Sequence, residues 1–306
     1  MILDLGDDAK EYGRQALRAF EAAGGDRLVQ QAEAKPAERE SLAGPALAEL
    51  GAWDLDVCTD ADELEAAAAL CRSAGYWTLP YPVAERLSRP ADLDVDGLIV
   101  VADPRPSGVV VGLESRWVTV SLGGTRSRVL GQGATGPAFV AELELAAIDE
   151  NGGGDIALGL MLPCWTLLGM LDRAMELTVA HVKLRRQFGQ PLSAFQSVQF
   201  QLTDAEVERS GLEMLARYAL STVAGPDALA DAMALRLAAL EAAEVVFRVT
   251  HQLHGAVGFC DETVLSWLSR YGQPLRRLPL GLSATRAELT DLLGTRGLTG
   301  LYSDAT

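Results

Sequence analysis

The sequence predicts a mainly α-helical protein in three parts: an N-terminal helical domain over residues 1–95, a reduced β-domain over 96–150, and a C-terminal four-helix bundle with a tail over 151–306. Three observations predict it. Hydrophobic residues make up 49% of the chain and aromatics only 6%, with long Ala- and Leu-rich runs that favour helices. The hydrophobic period changes from helical to β-like near residue 96 and returns to helical at Ile156. Between the last two parts, Asn151-Gly152-Gly153-Gly154-Asp155 reads as a flexible junction, and it lacks the Lys and Ser or Thr of a phosphate loop.

Taken in order, Glu11 to Ala23 is amphipathic, Ala46 to Gly51 closes a short helix, and Asp60 to Ala74 forms another that ends at Gly75. Short β-branched runs follow at Gly97 to Val101, Gly108 to Leu113, Trp117 to Leu122, Arg128 to Leu130 and Ala138 to Leu145. Asp, Pro and Gly divide them, as in a small antiparallel sheet or barrel. Leu158, Leu162, Trp165, Leu168, Leu171 and Met175 then mark a long helix ending near Arg185. A second helix runs from about Phe195 to Val223 and stops at Gly225-Pro226. A third occupies about Ala228 to His254, a shorter one Glu262 to Tyr271, and the last Ser283 to Leu293. Trp165 and Trp267 read as packing residues of the core or of an interface.

The formal charge is −16, from 26 basic and 42 acidic side chains. Nucleic acid and anionic membrane surfaces both need a basic footprint, so neither is expected as a partner. No uncharged apolar stretch of about 18 residues is evident, and the acidic start (Asp4, Asp7, Asp8) does not suit a signal peptide. A cytoplasmic location is the expectation. Cys58, Cys71, Cys164 and Cys260 are scattered without metal-ligand spacing and read as small, reduced core residues. Only His181, His251 and His254 are available for a His-rich metal site, so none is expected.

Two motifs carry chemistry. The first is Leu184-Arg185-Arg186-Gln187-Phe188-Gly189-Gln190-Pro191-Leu192, followed by Phe195-Gln196; the second is His251-Gln252-Leu253-His254-Gly255-Ala256-Val257-Gly258-Phe259. In this order and spacing they resemble the C-terminal helical domain of the flavin-dependent acyl-CoA dehydrogenases. Its patterns there read R-x-Q-F-G-x-P-L-x-x-F-Q and Q-x-x-G-G-x-G. More loosely, Leu47 to Trp53 and Gly75 to Pro82 resemble the N-terminal helical domain of that family. The resemblance is specific from about Gly159 to Arg270 and implies an acyl-CoA dehydrogenase-like fold for the whole chain. It also implies FAD as cofactor. Arg185 would pair with the pyrophosphate, Gln187 would bond nearby, Phe188 would pack by the adenosine, and Gln196 would contact the cofactor or a partner. From the second motif Gln252, Gly255 and Ala256 would approach the FAD, with Ala256 standing where the family has its second glycine. Guanidinium and amide donors suit a pyrophosphate in any case. Arg270 matches the Arg of a family R-D pair whose Asp is here Tyr271, and reads as structural.

The family's catalytic base is missing. Its usual Glu falls here at Pro279 or Leu280, in Leu278-Pro279-Leu280-Gly281-Leu282-Ser283. The alternative base, roughly 26 residues before the motif Arg, falls at Gly159; Asp155, the nearest acid, lies about one turn too early. The family segments that hold the isoalloxazine and the thioester (T-E-P-x-x-G-S-D and W-x-T-N-G types) are also absent, and the β-segment of about 55 residues is too short for the family's barrel. In this family each FAD lies across a subunit interface, so a chain keeping only the pyrophosphate-binding half completes a partner's site. The resemblance therefore implies the shortened, non-catalytic subunit of a heteromeric (α2β2) acyl-CoA dehydrogenase. Such enzymes are similar to those of actinobacterial sterol side-chain degradation, with FAD shared and the acyl-CoA mainly on a longer catalytic partner. Two other readings stay open: a self-sufficient flavoenzyme using a base such as Glu176 or Glu262, and a helical scaffold without FAD.

Overall fold

The computed structural model describes residues 4–296. Its N-terminal part holds helices α1 (Asp7–Ala23), α2 (Arg27–Ala34), α3 (Arg39–Glu49), α4 (Ala61–Tyr76) and α5 (Val83–Leu87). Asp7 and Asp8 sit in the first turn of α1, where the helix dipole favours them, and its inward face is Ala9, Gly13, Ala16 and Phe20. On α4 the Asp60 side chain accepts hydrogen bonds from the Asp62 and Glu63 amides, capping the helix start. The helix does not stop at Gly75, as its glycine suggested, but runs on to Tyr76. That glycine serves a close approach instead: a Cβ there would lie 1.8 Å from the Thr166 carbonyl oxygen, and one on Gly169 would lie 1.8 Å from that of Arg72.

Five strands follow: β1 (Gly97–Val101), β2 (Ser107–Gly108), β3 (Trp117–Ser121), β4 (Arg126–Thr135) and β5 (Ala141–Asp149), in the order β1-β3-β4-β5-β2. The sheet is mixed rather than antiparallel. After β1 the chain crosses to the opposite edge, pairs β2 with β5, and returns to lay β3 parallel to β1. The expected strand over Gly108 to Leu113 is reduced to Ser107–Gly108. The fully buried Arg39 takes the Val109 and Val111 carbonyls, along with that of Pro80, and so withdraws them from any ladder. Its guanidinium also lies 4.1 Å from the centre of the Phe139 ring. The junction read as flexible is seated as well. Gly152 is buried, its amide donates to the Gly124 carbonyl, and a Cβ on it would meet Val120 at 2.6 Å and Arg126 at 2.7 Å.

The C-terminal part begins with the 30-residue helix α6 (Asp155–Leu184), then a two-stranded hairpin of β6 (Arg186–Gln187) and β7 (Gln190–Pro191). After it come α7 (Gln196–Thr222), α8 (Ala228–His254), α9 (Val264–Tyr271), α10 (Gln273–Arg277) and α11 (Leu282–Arg296). By composition α6 is long and apolar enough to cross a membrane, but 78% of its most apolar window is buried inside the protein, the pattern of a core helix. Trp165 is fully buried on it, and one continuous core joins α1, α4, α6, α7 and α8. An ion-pair network ties the same layers together: Arg72 of α4 meets Asp172 of α6 and Glu213 of α7, and Arg209 of α7 meets both acids. Trp267 is buried, and Arg270 stacks over it at 4.2 Å while pairing with Asp261, so both serve this chain's own packing. Cys71 and Cys164 are core residues as expected, whereas Cys58 and Cys260 are exposed and free.

Candidate functional site

The first motif starts at the end of α6, as its spacing suggested, and continues as a hairpin. After α6 stops at Leu184, Arg186 pairs with Pro191 and Gln187 with Gln190, and the Leu192 amide donates to the Arg185 carbonyl. The two residues at the turn, Phe188 and Gly189, have φ of 51° and 83°. Positive φ at both positions is the type I′ geometry that matches strand twist. Gly adopts it freely, whereas a bulky residue does so only at some energetic cost. The result is to hold Phe188 outward, 92% exposed, with its ring edge-on to Phe195. Arg185 and Gln196 are also exposed, Gln196 as the first residue of α7. Among the described residues nothing bonds or pairs with the Arg185 guanidinium.

The second motif closes α8. Gly255 follows the helix with φ 64°, so the left-handed position falls on glycine, and Ala256 stands exposed in the next turn. A Cβ on Gly255 would meet nothing within 4 Å, leaving its backbone open to a ligand; one on Gly258 would strike His254 at 2.9 Å, which makes that glycine a packing requirement. Gln252 is exposed. The two motifs arrive at the same end of the bundle, where the last turn of α6 and the last turn of α8 meet. There His181 and His254 stack at 4.3 Å, His254 bonds the Thr250 carbonyl, and burial holds both imidazoles below their usual pKa.

The positions that would carry a base lie elsewhere. Gly159 and Pro279 line one internal cavity of about 40 Å³, room for about three water molecules. Strand β1 fills the rest, since a Cβ on Gly159 would meet Val100 at 2.6 Å and Leu98 at 3.1 Å. Asp155 is outside this cavity and is held by Arg126 at 2.8 Å. Glu176 accepts from Tyr76 and Arg173, and Glu262 is exposed in the turn before α9; neither reaches the cavity. One carboxylate does line it, and sequence reasoning missed it: Glu85 of α5, whose carboxyl is pushed up by burial while Arg39 pulls the other way. No spacing or motif could have flagged it, because only the fold brings residue 85 to residues 159 and 279.

Beside the glycine turn, α8, α9, α10 and the start of α11 enclose an open groove of about 640 Å³ that takes in Gln252 and Gly255. A separate apolar seam runs along α7, where Phe200, Val207 and Met214 recur every seven residues at 60%, 62% and 52% exposure.

Residues 158–277 match the family model described as acyl-CoA dehydrogenase, C-terminal domain. Among curated proteins, acyl-CoA dehydrogenase FadE27 of Mycobacterium tuberculosis is 27% identical over 192 residues, 58% of this chain and 48% of that protein. Acyl-CoA dehydrogenase FadE28 of the same organism is 30% identical over 129 residues, covering 42% of this chain and 37% of that one. These matches span about half or less of the relatives' length. Among solved structures, a variant of the Tcur3481-Tcur3483 steroid ACAD superposes with a TM-score of 0.79 at 20% identity, over 96% of this chain and 99% of that one. The ChsE4-ChsE5 complex from Mycobacterium tuberculosis gives 0.73 at 15%, over 98% of this chain and 100% of that one. The chain thus has the acyl-CoA dehydrogenase fold, and its residues 158–277 match the model of that family's C-terminal domain.

Proposed function

We propose that this chain is the non-catalytic, cofactor-completing subunit of a heteromeric FAD-dependent acyl-CoA dehydrogenase. The observation that carries the reading is a contrast within one molecule. The interior that would hold a thioester and a base has closed to about 40 Å³, while the bundle end presents an unpaired guanidinium, two exposed amides and an unobstructed glycine backbone. Those groups fit the ADP half of FAD: Arg185 grips phosphate, Gln187 and Gln252 donate hydrogen bonds, and Phe188 offers a face to the adenosine. Gln196, Gly255 and Ala256 complete the contact surface. The flavin, when bound, supplies the hydride acceptor for α,β-dehydrogenation of a CoA thioester, and this chain's part is to bind and orient it. A longer partner holds the acyl-CoA and the base. The seam on α7 supports such an assembly, since exposed apolar residues in register mark a helix face that another helix covers. The names of the two structural neighbours, a steroid ACAD and a two-component complex, support a steroid thioester and a partner chain of another kind; the bulky side-chain acyl group and two chains of each kind are part of our proposal.

The test is to co-express the chain with a catalytic acyl-CoA dehydrogenase partner and titrate FAD into the deflavinated complex, comparing the parent with Arg185→Ala. Losing charge-assisted contacts to a phosphate costs about 1.5–3 kcal/mol each, so affinity is expected to fall roughly ten- to a hundredfold with the fold intact. Equal affinities, or robust flavin retention and turnover by the chain alone, refute the reading.

A further inference from the structure

Strand β5 leaves an open edge on the sheet. In the order β1-β3-β4-β5-β2 its outer neighbour β2 pairs only with Ala141 and Glu142. The Leu143 amide still donates to the Pro106 carbonyl at 2.9 Å, and among the described residues no backbone bond reaches the outer side of β5 beyond it. Outward groups recur every second residue along an antiparallel strand, so the amides and carbonyls of Leu145 and Ala147 face out unpaired. The opposite edge strand, β1, is buried along its whole length. On β5, by contrast, Ala147 and Ile148 are exposed, Ile148 at 41%, and Leu130 on neighbouring β4 stands 67% exposed. Neither Pro nor Lys, the usual blunting residues of a free edge, occurs in β5. Its charges are acidic. Glu144 is exposed on the strand and Glu150 just past its end, and neither forms an ion pair among the described residues. Arg128, the cation on β4, lies opposite Ala146.

A free edge flanked by apolar side chains is the template for strand addition, in which main-chain bonds give affinity and alternate side chains give selectivity. The charges choose the occupant. A twofold pairing of two copies centred on Ala147 would set Glu144 of one near Glu150 of the other, and like charges across a strand pair are destabilising. Resting on the proposed function for the identity of the second chain, we infer that β5 is a docking edge for an extended, basic segment of the catalytic partner. That segment adds a strand along Leu145 to Asp149, lays apolar side chains on Leu130 and Ile148, and sets Lys or Arg against Glu144 and Glu150.

Hydrogen exchange resolved to single amides, measured on the full chain and on its complex with the catalytic subunit, tests this. Leu145 and Ala147 are expected to exchange freely in the chain alone and at least about tenfold more slowly in the complex. Ala147→Pro removes an amide that bonds nothing within the chain, so the free chain should keep its stability while the complex weakens by roughly tenfold; Ala147→Ser, which keeps the amide, should match the parent. Glu144→Lys combined with Glu150→Lys, both at exposed positions, should weaken the complex without touching the ladder. A complex that forms with both amides still open, or that holds the charge-reversed variant at the parent's affinity, overturns the inference. The cofactor-completing reading would then still stand, because it is read from FAD affinity with Arg185→Ala. Protection that appears in the chain alone as its concentration rises makes the occupant a second copy and overturns the inference too, and failure of any complex to form overturns both.

Discussion

Restoring a carboxylate at position 159 is expected to destroy stability, not to create activity. Gly159 lies on the face of α6 that receives β1, and its added Cβ alone would sit 2.6 Å from Val100 and 3.1 Å from Leu98. Over-packing of this kind costs about 1–3 kcal/mol. The remaining atoms of a Glu would enter a cavity of about 40 Å³. The cation that lines it, Arg236, already gives its terminal nitrogens to the carbonyls of Leu275, Leu278 and Leu280. An uncompensated carboxylate there adds several kcal/mol more, so Gly159→Glu should lose at least about 4 kcal/mol, a large part of a typical total of roughly 5–15. Gly159→Ala, which tests the packing alone, should lose about 1–3 kcal/mol. Denaturant unfolding followed by circular dichroism measures both. If Gly159→Glu unfolded at the parent midpoint, β1 would not be seated on α6 and the argument for a closed interior would fail.

Other outcomes follow from single groups. Burial raises the Glu85 pKa above its ordinary 4.5, so its contribution to stability is full below that pH and is lost as pH rises through the raised value; Glu85→Gln should therefore gain on the parent with increasing pH, and parallel stability curves would contradict this. Burial also pushes Glu213 up, but Arg72, Arg209 and Arg217 outweigh it and hold the carboxyl at about 2, giving on the order of 3 kcal/mol that is present above 4.5 and lost as pH falls toward 2. Unfolding of Glu213→Gln at neutral pH should show that loss, and a midpoint equal to the parent's would reject it. The His181 and His254 pair, held below 6.5, contributes stability above that pH and loses it as pH falls through the depressed values; amide exchange in Gly255 to Phe259 should accelerate on acidification, less so in His181→Gln. Val207→Glu should change the free chain by no more than about 0.5 kcal/mol, as at an ordinary surface site, yet break the complex in sedimentation; an intact complex would remove the seam from the interface.

Much of the fold was legible because it rests on periodicity. The β1 run Gly97 to Val101 and the long helix Ala228 to His254 stand where their patterns put them. What escaped depends on contacts between distant residues. The parallel pairing of β1 and β3 needs the crossing to β2, and the shortening of the Gly108 to Leu113 run needs Arg39, some 70 residues away in the chain. Gly75 looked like a helix stop because a glycine reserved for a close helix contact and one that ends a helix are the same letter. The hairpin at Phe188 gave no Asn-Gly or Asp-Gly signal, since a phenylalanine holds the first left-handed position. The site residues themselves came from motif resemblance, whereas Glu85 and the open edge of β5 emerge only from the folded arrangement.

The outward hold on Phe188 bears on the supply of this chain in a cell. A side chain 92% exposed, beside Leu184 at 81% and with Phe259 at 68% on the same bundle end, is a surface that chaperones and proteases read as unfinished. On the reading that a partner and its cofactor cover it, newly made chain has a short grace period: it is either captured or cleared. Balanced synthesis of the two chains then becomes part of the design, and surplus of this one shortens its own lifetime instead of accumulating as a reserve.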